Sequence, residues 1–389
     1  MNYDKIISKK AAEIKPSGIR KFFDMLDDMK DVIALTVGQP DFVTPWHIRE
    51  VGVESLVKGK TYYTSNKGTL ELRREIANYL ERRFKLNYCA EDEIIVTVGG
   101  SEAIDIAMRS IIDPGDEVIV VEPSFVCYKP IASLCGGVPV VAETYEKDNF
   151  KLTAETLRKC ITDKTKLLVL PFPSNPTGAI MTEKELREIA DVLRGTDIMV
   201  LSDEIYAELH YGSEPHVSFA NIEGMRERTI TVSGFSKAYA MTGWRLGYVC
   251  APKEITNQMF KIHQYAIMCA PTTSQLAAIE ALKNGDADVE MMVASYNDRR
   301  KLLVKGLRDM GIPCFEPEGA FYVFPNVGVF GLSSEEFATR LLNEAHVAIV
   351  PGTAFGDCGE GYARISYAYS VEHITEALKR MREFVEKLK

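Results

Sequence analysis

Between residues 91 and 250, short apolar runs alternate with stretches patterned as helices, and no other feature narrows the available folds as far. Candidate strands fall at 93–98, 117–121, 166–170, 198–202, 229–233 and 246–250. Most are apolar throughout instead of alternating, as strands covered on both faces must be. The expectation is an α/β fold whose large domain holds a mainly parallel sheet sandwiched by helices. One helix start is explicit in Thr182-Glu183-Lys184-Glu185, where the Thr hydroxyl and the Glu carboxylate can satisfy free backbone N–H groups reciprocally. That helix should stop near Gly195.

From about residue 286 the pattern changes. Helices surround an apolar stretch at 319–325 and a strand-like run at 363–368, which reads as a smaller α+β domain. Ser333-Ser334-Glu335-Glu336 and Ser370 supply helix caps there. Residues 1–46 have turns and helical pieces but no core of their own, so they are expected to pack on the small domain. That leaves 47–285 as the large domain and 286–389 as the small one. With 46% apolar residues, a chain of 389 can bury cores of this size.

The formal net charge of −9, with no dense cluster of Lys or Arg, disfavours nucleic acid and anionic membranes as partners and points to small molecules. The eight cysteines are scattered, with no C-x-x-C pair and no zinc-finger spacing, so they read as reduced thiols and no metal site is expected. Met1-Asn2-Tyr3-Asp4-Lys5 has no basic patch leading into an apolar core, and no apolar run reaches membrane-spanning length. A cytoplasmic location is the expectation.

Residues able to do chemistry gather at the ends of the candidate strands. In Ser233-Gly234-Phe235-Ser236-Lys237-Ala238 a lysine follows a buried strand, where ligands of open α/β sheets bind, and small neighbours let a flat molecule approach. Alone, such a lysine reads as structural or solvated; Arg245, eight positions later, changes that reading. Val98-Gly99-Gly100-Ser101-Glu102-Ala103 ends one strand and starts a helix, whose unpaired N–H groups suit a phosphate. By itself it is turn chemistry. Pro173-Ser174-Asn175-Pro176-Thr177-Gly178 and Ser202-Asp203-Glu204-Ile205-Tyr206 read, in isolation, as a Pro/Gly turn and a solvated carboxylate.

Together these strings resemble the class I and II pyridoxal-phosphate aminotransferases. The likeness runs from Gly38-Gln39-Pro40-Asp41 to Ala363-Arg364-Ile365-Ser366, nearly the whole chain. It implies the type I fold of PLP-dependent transferases, pyridoxal 5'-phosphate (PLP) as cofactor, and ping-pong transfer of an amino group from an L-amino acid to a 2-oxo acid. By the same resemblance Lys237 holds the cofactor covalently and serves as general base, while Asp203 pairs with the pyridine nitrogen and keeps the ring cationic. Tyr206 and Asn175 would address the ring oxygen, and Phe125 would stack on the ring face. The phosphate would meet Gly100, Ser101 and Glu102 at the helix start, Ser236, and a charge-assisted fork from Arg245. Tyr63 matches a phosphate-contacting tyrosine that usually comes from the neighbouring subunit, which implies a homodimer with shared sites. Arg364, with Gly38 and Asn175, would hold the substrate carboxylate.

Two other readings stand beside this one. A carbon–sulfur β-lyase uses the same cofactor and lysine, and Met241-Thr242-Gly243-Trp244-Arg245 favours a transaminase over it. A silent ligand-sensing module would need a DNA-binding region, and the acidic sequence shows none. For the substrate, N-acetyl-diaminopimelate, aspartate and aromatic amino acids all suit the resemblance. The strings Ser17-Gly18-Ile19-Arg20-Lys21-Phe22 and Gly38-Gln39-Pro40-Asp41-Phe42 are similar to bacterial enzymes acting on the first of these. Some relatives specific for acidic substrates carry a lysine where Ser101 stands here, which weakens aspartate. Arg20 reads as a contact to a distal substrate carboxylate or as a surface charge, with the second favoured.

Overall fold

A computed structural model gives the fold for residues 1–16, 18, 31–212 and 214–388. Arg20 lies outside the described residues, as does most of the string around it. All six expected strands form within two residues of their expected ends. In chain order the strands are β1 (Ile33–Ala34), β2 (Ile94–Thr97), β3 (Glu117–Glu122), β4 (Val138–Glu143), β5 (Thr165–Leu170), β6 (Met199–Asp203), β7 (Thr229–Gly234) and β8 (Gly247–Cys250). They are followed by β9 (Tyr322–Val323), β10 (Val347–Ala348), β11 (Val350–Pro351) and β12 (Ala363–Ser366).

Seven strands build the central sheet in the order β2-β8-β7-β6-β5-β3-β4. Every pairing is parallel except those of β8, which runs antiparallel to both β2 and β7. An antiparallel return needs no crossover helix, so β8 follows β7 after a short loop. That loop carries Lys237 and Arg245, and the reversal brings both to one end of the sheet. The strand β4 has no counterpart among the expected ones. It is an edge strand containing Pro139, half-buried along most of its length, so it lacks the apolar signature of its neighbours.

Burial on both faces is visible within a single strand. Val118 and Val120 of β3 join one apolar cluster, with Ile104 and Ala107 of the helix Gly99–Ile111, while Ile119 and Val121 join another, with Leu186 and Ile189 of the helix Glu183–Leu193. The start of the second helix is fixed as its sequence suggests. The Thr182 hydroxyl accepts from the Glu185 N–H at 3.3 Å, and the Glu185 carboxylate accepts from the Thr182 N–H at 2.8 Å.

Past residue 286, the long helix Asp286–Asp309 packs with the helices Ser334–Ala345 and Val371–Glu386 beside the small antiparallel sheet β11-β12-β9. Ser333 and Ser370 cap the two later helices, each accepting a backbone N–H at 3.2 Å. Tyr206 and Ala240 from the central part belong to the same apolar cluster as Leu303, Phe321 and Phe337, so the two parts share a core next to the sheet end. The N-terminal stretch touches both parts. Its β1 pairs in parallel with β10, whereas its helix Lys9–Glu13 lies beside the helix Tyr128–Cys135. Among the described residues no helix is long and apolar enough to cross a membrane, and no group of three or more His, Cys, Asp or Glu is placed to hold a metal ion.

Candidate active site

The carboxyl ends of β2, β3, β5, β6 and β7 converge on a cavity of about 350 Å³. This is where the topology of a doubly wound sheet leaves a crevice. Eleven of the thirteen residues singled out from the sequence line it, and β12 contributes Arg364 from the opposite side. The two exceptions are Glu102 and Tyr63. The Glu102 carboxylate turns away, accepting from the Val98 N–H and facing His263, while Tyr63 is 78% exposed on the outer surface.

Lys237 stands three residues beyond the last residue of β7. Its Nζ donates to the Gly38 carbonyl at 2.6 Å and lies over the rings of Tyr206 and Phe321 at 5.8 and 5.7 Å. A Cβ on Gly38 would overlap the Tyr322 hydroxyl, so only glycine lets the chain come this close. Burial, with the positive charges of Arg364 and Arg245 behind it, lowers the Lys237 pKa to about 8. A neutral amine is therefore accessible near neutral pH.

Asp203 ends β6 and is 7% exposed. Its Oδ2 accepts from the Tyr128 hydroxyl at 2.7 Å and its Oδ1 from the Ile205 N–H at 3.2 Å. Burial raises its pKa to about 6, against the opposing pull of those two hydrogen bonds. Tyr206 sits across from it with its hydroxyl 2.9 Å from that of Tyr322, and burial holds its proton tightly. Phe125 lines the same wall, edge-on to Tyr128 at 6.3 Å between ring centres.

Arg364 is 2% exposed. Its Nη1 donates to Asn175 Oδ1 at 2.9 Å, its Nη2 donates to the Thr36 carbonyl, and its Nε finds no partner. The guanidinium is flanked by the rings of Tyr322 and Phe355 at 4.6 and 4.7 Å. With its oxygen taken by Arg364, the Asn175 side chain has its NH₂ left as a donor.

At the other end of the cavity the helix Gly99–Ile111 begins without a side-chain cap from Val98, leaving first-turn N–H groups beside Gly100 and Ser101. Arg245, in the left-handed region at φ 49°, lies against this turn. Gly99 has φ 77°, and a Cβ there would stand 2.8 Å from Arg245 Nη2, so the close approach of the arginine depends on glycine. Ser236 completes this side of the wall.

Tyr128 and Tyr322 were not among the residues singled out from the sequence. Both read as core aromatics in apolar surroundings, and only their hydroxyl partners, 75 and 116 positions away, mark them as part of the site. The donor set suits a flat cationic ring bearing an aldehyde and a phosphate: an accessible amine at Lys237, a buried carboxylate at Asp203, and a helix start with Arg245 for the anion.

The family described as aminotransferase class I and II matches residues 30–381. The chain belongs to this family and is an aminotransferase that uses pyridoxal phosphate, with the type I fold. It is 52% identical to a putative aminotransferase, YugH, of Bacillus subtilis, over 98% of both chains. A probable N-acetyl-LL-diaminopimelate aminotransferase of the same organism is 46% identical over 98% of this chain and 96% of its own. The crystal structure of an aromatic aminotransferase from Pyrococcus horikoshii superposes with a TM-score of 0.90 at 46% identity, covering 95% of this chain and all of that one.

Proposed function

We propose that this cavity runs both halves of an amino-group exchange, with Lys237 and Asp203 holding the cofactor and Arg364 holding the substrate carboxylate. The observation that carries the proposal is the state of these three groups, Asp203 and Arg364 buried and Lys237 half-buried. Each faces one cavity, and none is in an ion pair with another described residue. Unpaired buried charges are costly, so a ligand that supplies their counter-charges is strongly favoured.

When bound, the cofactor supplies the sink for the electron pair left at the substrate α-carbon. Lys237 Nζ would take the α-proton and deliver it to the cofactor instead of back to the α-carbon, which its lowered pKa of about 8 allows. Asp203 keeps the ring nitrogen protonated. Arg364 grips the carboxylate in a two-pronged fork, with the Asn175 NH₂ and the Gly38 N–H beside it, and so turns the α C–H bond toward Lys237. Tyr206 addresses the ring oxygen and Phe125 the ring face. The first-turn N–H groups of Gly100, Ser101 and Glu102, together with Ser236 and Arg245, hold the phosphate.

The working unit in this reading is a homodimer. A hollow of about 920 Å³ between the segments 39–44 and 242–245 shares Arg245 with the cavity, and Tyr63 is exposed together with Tyr62, Val57 and Tyr265. The 62–66 segment of a second copy is the occupant that would carry Tyr63 to the phosphate. Within each chain we assign 47–285 to cofactor binding and 286–389 to the domain that carries Arg364, with 1–46 returning to that smaller domain through β1.

For the donor, we favour an amino acid with an uncharged side chain, aromatic ones above aspartate. Lys237, Arg245 and Arg364 are the cations lining the cavity among the described residues, and each already has a task. Ser101 offers a hydroxyl where a second carboxylate would need a charge. The test is single-turnover loss of the cofactor's visible absorbance with a panel of L-amino acids, followed by turnover with 2-oxoglutarate and pyruvate as acceptors. Aromatic donors should exceed aspartate, and Lys237→Ala should lower turnover by a factor on the order of 10⁴ or more. Normal turnover by Lys237→Ala would sink the whole assignment, a preference for aspartate would sink the donor choice, and pyruvate release from cysteine would favour the β-lyase.

A further inference from the structure

Next to the cavity, two side chains that meet each other, those of Glu102 and the buried His263, have no part in the roles assigned so far. Glu102 lies in the first turn of the helix Gly99–Ile111, and its Oε2 reaches back to accept from the Val98 N–H, a backbone group that Val98 cannot satisfy itself. Its Oε1 faces Nδ1 of His263, which is 0% exposed and belongs to the helix Lys253–Ala266. The other ring nitrogen, Nε2, lies 2.7 Å from the Asn66 carbonyl.

The hydrogen positions follow from this arrangement. The Asn66 carbonyl only accepts, so Nε2 carries a proton and donates it. One further proton then lies on the line between Nδ1 and Oε1, whether it is written on the imidazole or on the carboxyl. Both forms leave the pair with no net charge. A lone carboxylate at this position would occupy the positive end of the helix and repel a phosphate arriving at the same turn. With His263 beside it, Glu102 can brace the turn without competing for the field that an anion needs. Its brace also reaches the Asn66 backbone, and the Asn66 side chain in turn donates to the Met268 carbonyl at 2.7 Å.

We propose that Glu102 and His263 are positioning residues for the cofactor phosphate: Glu102 holds the glycine turn in shape, and His263 cancels its charge while tying the turn to the segment that carries Tyr63. The inference rests on the reading that this helix start and Arg245 receive the phosphate.

Cofactor-free protein is titrated with PLP and, separately, with pyridoxal, which lacks the phosphate, and the two dissociation constants are compared by absorbance. The unaltered protein should prefer PLP. In His263→Ala, which leaves the Glu102 charge uncancelled, that preference should shrink about tenfold while pyridoxal binding changes by less than about threefold. Adding Glu102→Gln to His263→Ala should restore most of the preference, because the charge is removed; a merely structural histidine would give no such rescue. Should His263→Ala fail to fold, Glu102→Ala removes the brace instead and should also lose preference for PLP. A folded His263→Ala with undiminished preference, or equal losses for the two ligands, would overturn the inference. Arg245→Ala separates the two layers of argument. If it leaves the preference for PLP intact, the phosphate site itself is misassigned and the inference goes with it; if it erases the preference, the histidine result stands on its own.

Discussion

Asp203 and Glu204 are adjacent, buried carboxylates that leave the end of β6 toward opposite sides, and their surroundings differ in kind. Glu204, 4% exposed, is closed within the protein: Ser202 and Ser218 donate to Oε1 at 2.7 and 2.6 Å, and Oε2 is 3.1 Å from His216 Nε2. Asp203 has one tyrosine hydroxyl and one backbone N–H, no ion-pair partner among the described residues, and an open cavity in front of it. A buried acid with its partners complete serves the fold. One left under-satisfied at a cavity wall stores electrostatic cost that a ligand can relieve, and the same holds for Lys237 and Arg364 around it.

The sharpest way to break this comparison is to remove each charge with little change of shape. Asp203→Asn should lower kcat by a factor on the order of 10³, while Glu204→Gln should keep kcat within about tenfold and lower stability by about 1–3 kcal/mol. Steady-state rates and urea denaturation of both variants decide it, and the opposite pattern would dismantle the contrast. Next in size is Arg364→Gln. We expect kcat/KM to fall by about 3 kcal/mol, or more than a hundredfold, and the cofactor-free protein to become no less stable, since a buried cation without a carboxylate is removed. Marked destabilisation would mean that Arg364 is structural in the manner of Glu204.

The smallest expected effect tests the residue that the sequence concealed. The Tyr128 hydrogen bond lowers the Asp203 pKa, so Tyr128→Phe should let the carboxyl keep its proton to higher pH. In the cofactor-free protein the Asp203 titration, near 6 with the tyrosine, should therefore move upward, and kcat should drop by about tenfold or less. Carboxyl-resolved spectroscopic titration of both proteins would show the shift. A titration that stays in place would remove Tyr128 from any role in setting this charge.

Much of the site was legible because its signals are local. A strand buried on both faces must be apolar, a helix start needs its N–H groups satisfied, and a glycine where the chain comes close leaves its mark in a few letters. So the strand ends, the turn at Gly99-Gly100 and the capping box at Thr182 could all be read from short strings. The edge strand β4 escaped notice because partial exposure erased its apolar run.

The amino-acid order alone thus determined the layered α/β frame, the placing of Lys237, Asp203 and Asn175 at or just beyond the ends of buried strands, and, through resemblance, the family. Only the folded chain decided which side chains bond directly to which: Tyr128 to Asp203, Arg364 to Asn175 across 189 positions, and His263 to Glu102 across 161. Periodicity and capping reflect forces acting within one or two turns of chain, whereas the partner of a buried polar group is set by how whole elements pack. That is why a tyrosine or histidine in an apolar stretch looks like core until the atom opposite its polar end is known.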